Sequence, residues 1–385
     1  MSVTAASGFV AGGLACGIKE SGAPDLAIVA TGDRAPVPAA GVFTTNLAQA
    51  APVQISKRHL SEAQAAAVVL SSGNANAATG EPGRRDAARM CELAAQGLGA
   101  APDRVLVCST GLIGIPMPMA ALEAGIPKLC GQLAADGGDE AARAIMTTDT
   151  LPKEAVAGIG HAVVGGMAKG AAMLSPAMAT MLAVITTDAA VAPADLQRAL
   201  AHAVSDSFDC LIVDGCRSTN DTVLVLANGR AGAVGPHDFT DALTEVCGSL
   251  AEQMARDAEG ATKFVRVNVR GAWSDGQART AARAVASSQL VQCSLNGGDP
   301  YWGRILSELG ASGAYVDPER VDISYGGITV CRDGVACVHD TAGLARVMAG
   351  PDIEITCDLR LAHGEATVLT TDLSHAYIDE NRRTS

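Results

Sequence analysis

Aromatic residues are scarce, only 3% of 385, and no apolar run is long enough to cross a bilayer. A spanning helix needs about 20 consecutive apolar residues, so no membrane partner is expected. Basic residues are few, 28 against 41 acidic ones, for a net charge of −13. That leaves no clustered Lys and Arg to neutralise phosphates, which argues against a nucleic-acid partner. No Lys or Arg precedes Lys19, so the charged start of a secretory signal is missing and a cytoplasmic location is expected. The 11 cysteines contain no C-x-x-C, which removes support for zinc ribbons and thioredoxin-type chemistry; a scattered odd set reads as reduced thiols. The seven histidines show no H-x-x-x-H spacing, so no metal is expected. P-loop, dinucleotide-binding and serine-hydrolase glycine motifs are absent as well.

What is present is apolar and small. Hydrophobic residues make up 48% and charged ones 18%, with 42 glycines, which excludes a disordered acidic chain and implies a core of small aliphatic side chains. Ala66–Leu70 and Arg104–Cys108 have strand length, and Pro82–Leu98 between them places Met90, Leu93, Ala94 and Leu98 on one helical face. Pro193 suits the first turn of a helix carrying Leu196, Leu200 and Val204, and Thr240 reads as the N-cap of another. Beyond about residue 260 the texture changes. Val265, Val267 and Val269 alternate with polar residues, Gly326-Gly327 signals a hairpin, and Ile353, Ile355 and Cys357 alternate again before a strand near Ala366–Thr370. The expected architecture is a layered α/β core over 1–260 and a smaller C-terminal α+β lobe over 261–385.

Several polar, glycine-dense stretches interrupt this apolar background. Ser71–Gly80 follows a strand and suits either a tight loop near a ligand or a structural turn. Ser109-Thr110-Gly111 also follows a strand, and a hydroxyl beside a glycine amide has the make-up of an oxyanion hole. Met146-Thr147-Thr148-Asp149-Thr150 is a third such stretch. In Lys169–Asp188 a threonine, Thr180, follows a small residue at the edge of an apolar strand. From spacing alone, a buried hydroxyl bonded to backbone is the plainer reading of that threonine.

Together these residues closely resemble the glutamate N-acetyltransferase/ornithine acetyltransferase (ArgJ) family of arginine biosynthesis. The resemblance runs from Gly17-Ile18-Lys19 to the tail. It takes in Cys108–Gly111, Ala144–Asp149, the Lys169–Asp188 block, Ser218-Thr219-Asn220-Asp221-Thr222, Ala258-Glu259-Gly260, Trp302-Gly303-Arg304 and Thr371-Asp372-Leu373. It implies an α/β (α+β), ArgJ/DmpA-like self-processing N-terminal-nucleophile fold. It also implies a precursor cut between Ala179 and Thr180 into an α chain, 1–179, and a β chain, 180–385, that stay together and pair as α2β2. Thr180 is then the nucleophile, Thr110 and Gly111 the oxyanion hole, and Thr147, Thr148, Lys169, Thr180, Glu259, Asn381 and Ser385 the substrate contacts.

The implied reaction moves acetyl from N-acetylornithine to glutamate, giving ornithine and N-acetylglutamate. No cofactor is expected; acetyl-CoA as a second acetyl donor stays open. Cleavage would free the α-amine of Thr180, whose reference pKa of about 7.7–8.0 leaves a neutral fraction able to take the Oγ proton. This chain departs from the family pattern at Tyr301, where Asn is usual, at Gln292, where Lys is common, and in its short tail. The alternatives are a self-processing N-terminal-threonine aminopeptidase or amidase of related fold, a specialised-pathway acyltransferase, and a processed but inactive binding paralogue.

Overall fold

The computed structural model describes residues 2–174 and 181–382. Ala179, Thr180 and Ser385, expected at the cut and the tail, lie outside the described residues. The chain divides into two compact units, one of Met1–Asp209 with Cys216–Met254, the other of Cys210–Gly215 with Ala255–Thr384.

The first unit contains β1 (Phe9–Leu14), β2 (Leu26–Thr31), β3 (Val37–Phe43), β4 (Gln64–Ala65), β5 (Ala67–Asn74), β6 (Val105–Leu112), β7 (Lys153–Ile159), β8 (Ala162–Lys169), β9 (Leu182–Ala190) and β10 (Thr222–Ala233). Its helices are α1 (Ala51–His59), α2 (Gly80–Leu98), α3 (Met119–Cys130), α4 (Gly138–Ala144), α5 (Pro193–Ser205) and α6 (Pro236–Arg256). The strands form two sheets, in the orders β1-β2-β5-β6 and β4-β3-β10-β9-β8-β7.

Both faces of the first sheet are covered, which is why its strands read as unbroken apolar runs. Leu26, Ile28, Val69, Val105 and Val107 face Met90, Cys91, Leu122 and Ile126 of α2 and α3. Their neighbours Ala27, Val29, Val68, Leu70, Leu106 and Cys108 share a second core with Met167, Leu182, Val184, Leu224 and Leu226 of the other sheet. Helices α5 and α6 pack on the far side of that sheet. The unit is therefore a helix–sheet–sheet–helix stack, in which each fully buried Leu or Ile contributes roughly 1.5–3 kcal/mol.

The second unit is one six-stranded sheet built from β11 (Phe264–Ala272), β12 (Asp322–Tyr325), β13 (Ile328–Arg332), β14 (Val335–Ala336), β15 (Asp352–Asp358) and β16 (Gly364–Thr371), in the order β14-β13-β12-β15-β11-β16. Its helices are α7 (Asp275–Ala286), α8 (Gln289–Asn296), α9 (Trp302–Ala311), α10 (Thr341–Ala349) and α11 (His375–Glu380). Val265, Val267, Val269, Ile353 and Ile355 face a core made with Ala281, Val285, Leu295, Ile305 and Leu344 of the helices. On the opposite face Asn268 bonds Glu354, and Arg270 pairs with Asp358. The alternation seen in the sequence is this division between core and surface.

Two local expectations need correction. Thr240 is not an N-cap: α6 begins at Pro236, and the Thr240 hydroxyl donates to the Pro236 carbonyl one turn back. Nor do the polar stretches follow their strands as loops. Ser71–Asn74 belongs to β5 and Ser109–Leu112 to β6, because the ladder between these parallel strands continues through Ser72↔Thr110 and Gly73↔Gly111.

Candidate active site

The polar ends of β5 and β6 carry the expected oxyanion residues. Ser71 donates to Ser109 Oγ at 2.9 Å, and Ser72 to the Ala144 carbonyl at 2.6 Å. Asn74 holds the Pro116 carbonyl and Asn76 the Gly83 carbonyl. The polar side chains of the Ser71–Gly80 stretch thus satisfy buried backbone, while its Ala75 also borders the candidate site. Thr110 is buried and Gly111 exposed. Gly111 has φ +128°, and a Cβ there would stand 2.3 Å from the Gly73 carbonyl carbon, so only glycine fits. Beside them lies a cleft of about 20 Å³, lined by Ala75, Thr110, Gly111, Met173, Ser218 and Asn220, room for little more than a water-sized group.

Lys169, the last residue of β8, is 2% exposed, and its Nζ donates to Thr110 Oγ1 at 3.4 Å. A lysine ammonium only donates, so the Thr110 oxygen accepts here and its own O–H remains available as a donor. The same Nζ lies 3.8 Å from Asp149 Oδ2, while Lys153 Nζ, also buried, lies 2.7 Å from Oδ1. Asp149 further accepts from the Thr147 and Gly170 amides at 2.9 and 2.7 Å. Burial by itself would raise this carboxyl, but Lys169, Lys153 and those donors outweigh it and hold Asp149 well below the usual carboxylate range. Asp149 therefore orders the turn that carries Thr147, half-buried, and Thr148, exposed.

A second cation borders this cluster. Lys19 Nζ donates to the Met146 carbonyl at 2.7 Å and to Pro24 O at 2.6 Å. Its loop is fixed by buried Asp25, which accepts the amides of Cys16, Gly17, Ile18 and Lys19. Burial lowers the Lys19 pKa and the charge of Lys169 adds to that, against Asp25 and Asp149. Lys153 and Lys19 were given no role from the sequence. The available signal was a lysine four residues after Asp149, but helical or strand spacing does not reveal a buried pair across a turn.

The Ser218–Thr222 segment forms another wall of the cleft. Asn220 Nδ2 donates to Ala75 O at 2.6 Å and to Ser109 O at 2.8 Å. The next residue, Asp221, is fully buried, and its Oδ1 accepts from Met181 N–H at 3.0 Å. Its Oδ2 is buried with no hydrogen-bond partner among the described residues. Burial pushes Asp221 up to about 8, against smaller opposing contributions from the Met181 amide, the Ser218 hydroxyl and Lys169; Asp209 adds to the rise.

In the second unit Asn381 Nδ2 donates to Glu259 Oε2 at 2.7 Å, so two of the expected substrate contacts touch each other. Gly260, beside Glu259, has φ +66°, and a Cβ there would stand 2.2 Å from Tyr377 N, so this approach to α11 also requires glycine. Gln292 is buried and donates to Val213 O, Ala286 O and Thr370 Oγ1. Three neutral acceptors account for a neutral amide at a position where the family often has a cation. Tyr301 is exposed, beside Arg304. Among the described residues no cluster of three or more His, Cys, Asp or Glu could hold a metal, and no helix is long and apolar enough to cross a membrane.

A family model described as the ArgJ family matches residues 10–384. The arginine biosynthesis bifunctional protein ArgJ of Mycobacterium leprae is 48% identical over 390 residues, covering 98% of this chain and 94% of that protein. Its counterpart in Symbiobacterium thermophilum is also 48% identical, over 98% of this chain and 97% of that protein. The crystal structure of the arginine biosynthesis bifunctional protein ArgJ of Bacillus halodurans matches with a TM-score of 0.50 and 33% identity, covering 51% of this chain and 96% of that one. By length of match and identity together, this chain belongs to the ArgJ family.

Proposed function

We propose that this protein cuts itself between Ala179 and Thr180 and then carries acetyl from N2-acetylornithine to glutamate on the Thr180 hydroxyl. The observation that carries this reading is Lys169 Nζ against Thr110 Oγ1 beside Gly111. It joins three residues that the family resemblance assigns to the reaction, Lys169 and Thr110 buried and Gly111 at the surface beside them. The newly freed α-amine of Thr180 takes the proton from its own Oγ, which attacks the acetyl carbonyl. Thr110 O–H and Gly111 N–H receive the oxyanion. Collapse breaks the amide bond, and the ornithine α-amine leaves with the proton. The glutamate α-amine then attacks the acetyl ester, its proton returns to Thr180, and N-acetylglutamate leaves.

Lys169 and the Thr147–Thr148 turn supply positive charge and donors for a substrate carboxylate. Glu259, with Asn381, suits the ornithine ammonium, because a charge-assisted contact is stronger than a neutral one; Ser385 completes the proposed contacts. The Bacillus halodurans chain, almost all of which matches only half of this one, supports a two-chain mature protein, which we take to be α2β2 and cytoplasmic. The relatives are named bifunctional, which supports acetyl-CoA as a second donor substrate; no cofactor is proposed.

Intact mass of the purified protein should give two polypeptides meeting at Ala179/Thr180. With N-acetylornithine and glutamate these should yield N-acetylglutamate. Thr180→Ala should remain one chain and produce none. A two-band Thr180→Ala protein, or cleaved parent protein that only hydrolyses N-acetylornithine, overturns the proposal, the latter in favour of the amidase reading.

A further inference from the structure

Asn220 and Asp221 are adjacent and both buried, and their side chains bond two different segments that matter for the proposed chemistry. Asn220 holds the carbonyl of Ser109, the residue before Thr110. Asp221 holds the amide of Met181, the residue after Thr180. The backbone of the same segment closes the tie: Thr222 N–H donates to Met181 O at 3.2 Å, and Thr44 N–H to Asp221 O at 2.9 Å. Asn220 is itself fully engaged, its Oδ1 accepting from Thr219 and its N–H donating to Ser218 Oγ. A group with every bond satisfied cannot rotate without breaking several, so this segment is stiff.

We propose that Asn220 and Asp221 are positioning residues that set the separation between the nucleophile strand and the oxyanion strand, with Asp221 working as a neutral hydrogen-bond acceptor rather than as a charge. The proposal rests on the acetyltransferase reading and adds to it two residues that touch no substrate. The neutral role follows from the surroundings. A carboxylate with one oxygen buried and no hydrogen-bond partner for it among the described residues is costly, and the Met181 amide and Ser218 hydroxyl need no charge to be satisfied. The raised Asp221 pKa agrees with that. The position also explains why an acid is tolerated there: protonated, it has nearly the shape of an asparagine.

The test compares Asp221→Asn, Asp221→Ala and Asn220→Ala with the parent for self-cleavage by denaturing gel, kcat and KM in the acetyl-transfer assay, and folding by circular dichroism. Asp221→Asn keeps an acceptor for Met181 N–H and should cleave and retain most of the parent kcat. Asp221→Ala, if it cleaves, and Asn220→Ala should lose about 10²-fold in kcat with little change in KM, the cost expected of a displacement near 1 Å at reacting groups. Folded Ala variants with parental kcat, or a folded Asp221→Asn that is as slow or as uncleaved as Asp221→Ala, would overturn the proposal. Should Asp221→Ala not fold, the Asp221→Asn and Asn220→Ala arms still decide it. Failure of the acetyltransferase reading shows separately, in a parent protein that is uncleaved or makes no N-acetylglutamate.

Discussion

Asp149 and Asp221 are both buried, both in the first unit, and both influenced by Lys169, yet their protonation is pushed in opposite directions. In the Thr147–Lys153 turn, two lysines and two amides surround the carboxylate and more than offset its loss of water. In the Ser218–Thr222 segment, the Met181 amide, the Ser218 hydroxyl and the charge of Lys169 act on the carboxyl, and burial outweighs them. Burial alone therefore does not decide the state of a buried acid; the number and charge of its donors does. The first region favours a negative charge that organises cations, whereas the second favours the protonated acid.

Removing Asp149 should have the largest effect on stability. Asp149→Ala takes the carboxylate away from the buried Lys153 ammonium, and breaking a buried pair costs about 3–5 kcal/mol, to be read from the urea midpoint. A loss below 1 kcal/mol would mean that the lysines find other partners, and the contrast between the two regions would fail. Next comes Thr110→Ala, which should lower kcat by ~10²–10³ at nearly unchanged stability. Normal turnover in that variant would confine Lys169 to the Asp149 cluster.

A pH dependence tests the opposite signs of the two acids. Asp221 binds a proton in the folded state that the unfolded chain gives up above its ordinary value of 3.8, so the native state loses stability as pH rises from there to about 8 and no further beyond. The stability of Asp221→Asn relative to the parent should therefore rise between pH 5 and pH 8 and then level off, measured by denaturant midpoints. Asp149 has the opposite sign: its contribution is fully present above the unfolded value and lost as pH falls below it. Asp149→Asn should thus lose its disadvantage only in acid.

Much of the second unit was legible. The period-two pattern of β11 and β15 and the Gly326-Gly327 turn report a sheet covered on one face, a relation between neighbours in sequence. In the first unit β5 and β6 were visible only as apolar runs, and β3 and β8 were not read as strands. Pro38, Gly41, Gly165 and Gly166 within them weaken the strand pattern, and close layering rather than propensity holds them. For the site, the family resemblance singled out Thr110, Gly111 and Lys169 one by one. It did not reveal that Lys169 touches Thr110, or that Glu259 touches Asn381.

The sequence by itself determined several strands, β5, β6, β11 and β15 among them, the glycine at the polar end of β6, and the family to which the residues belong. These depend on local order and residue type, both written directly in the chain. Only the tertiary structure decided that the lysines push Asp149 toward its ionised form and that burial pushes Asp221 toward its neutral one. Those states depend on donors from residues up to 40 positions away, such as Met181 for Asp221, and on water excluded by layers that no local window contains.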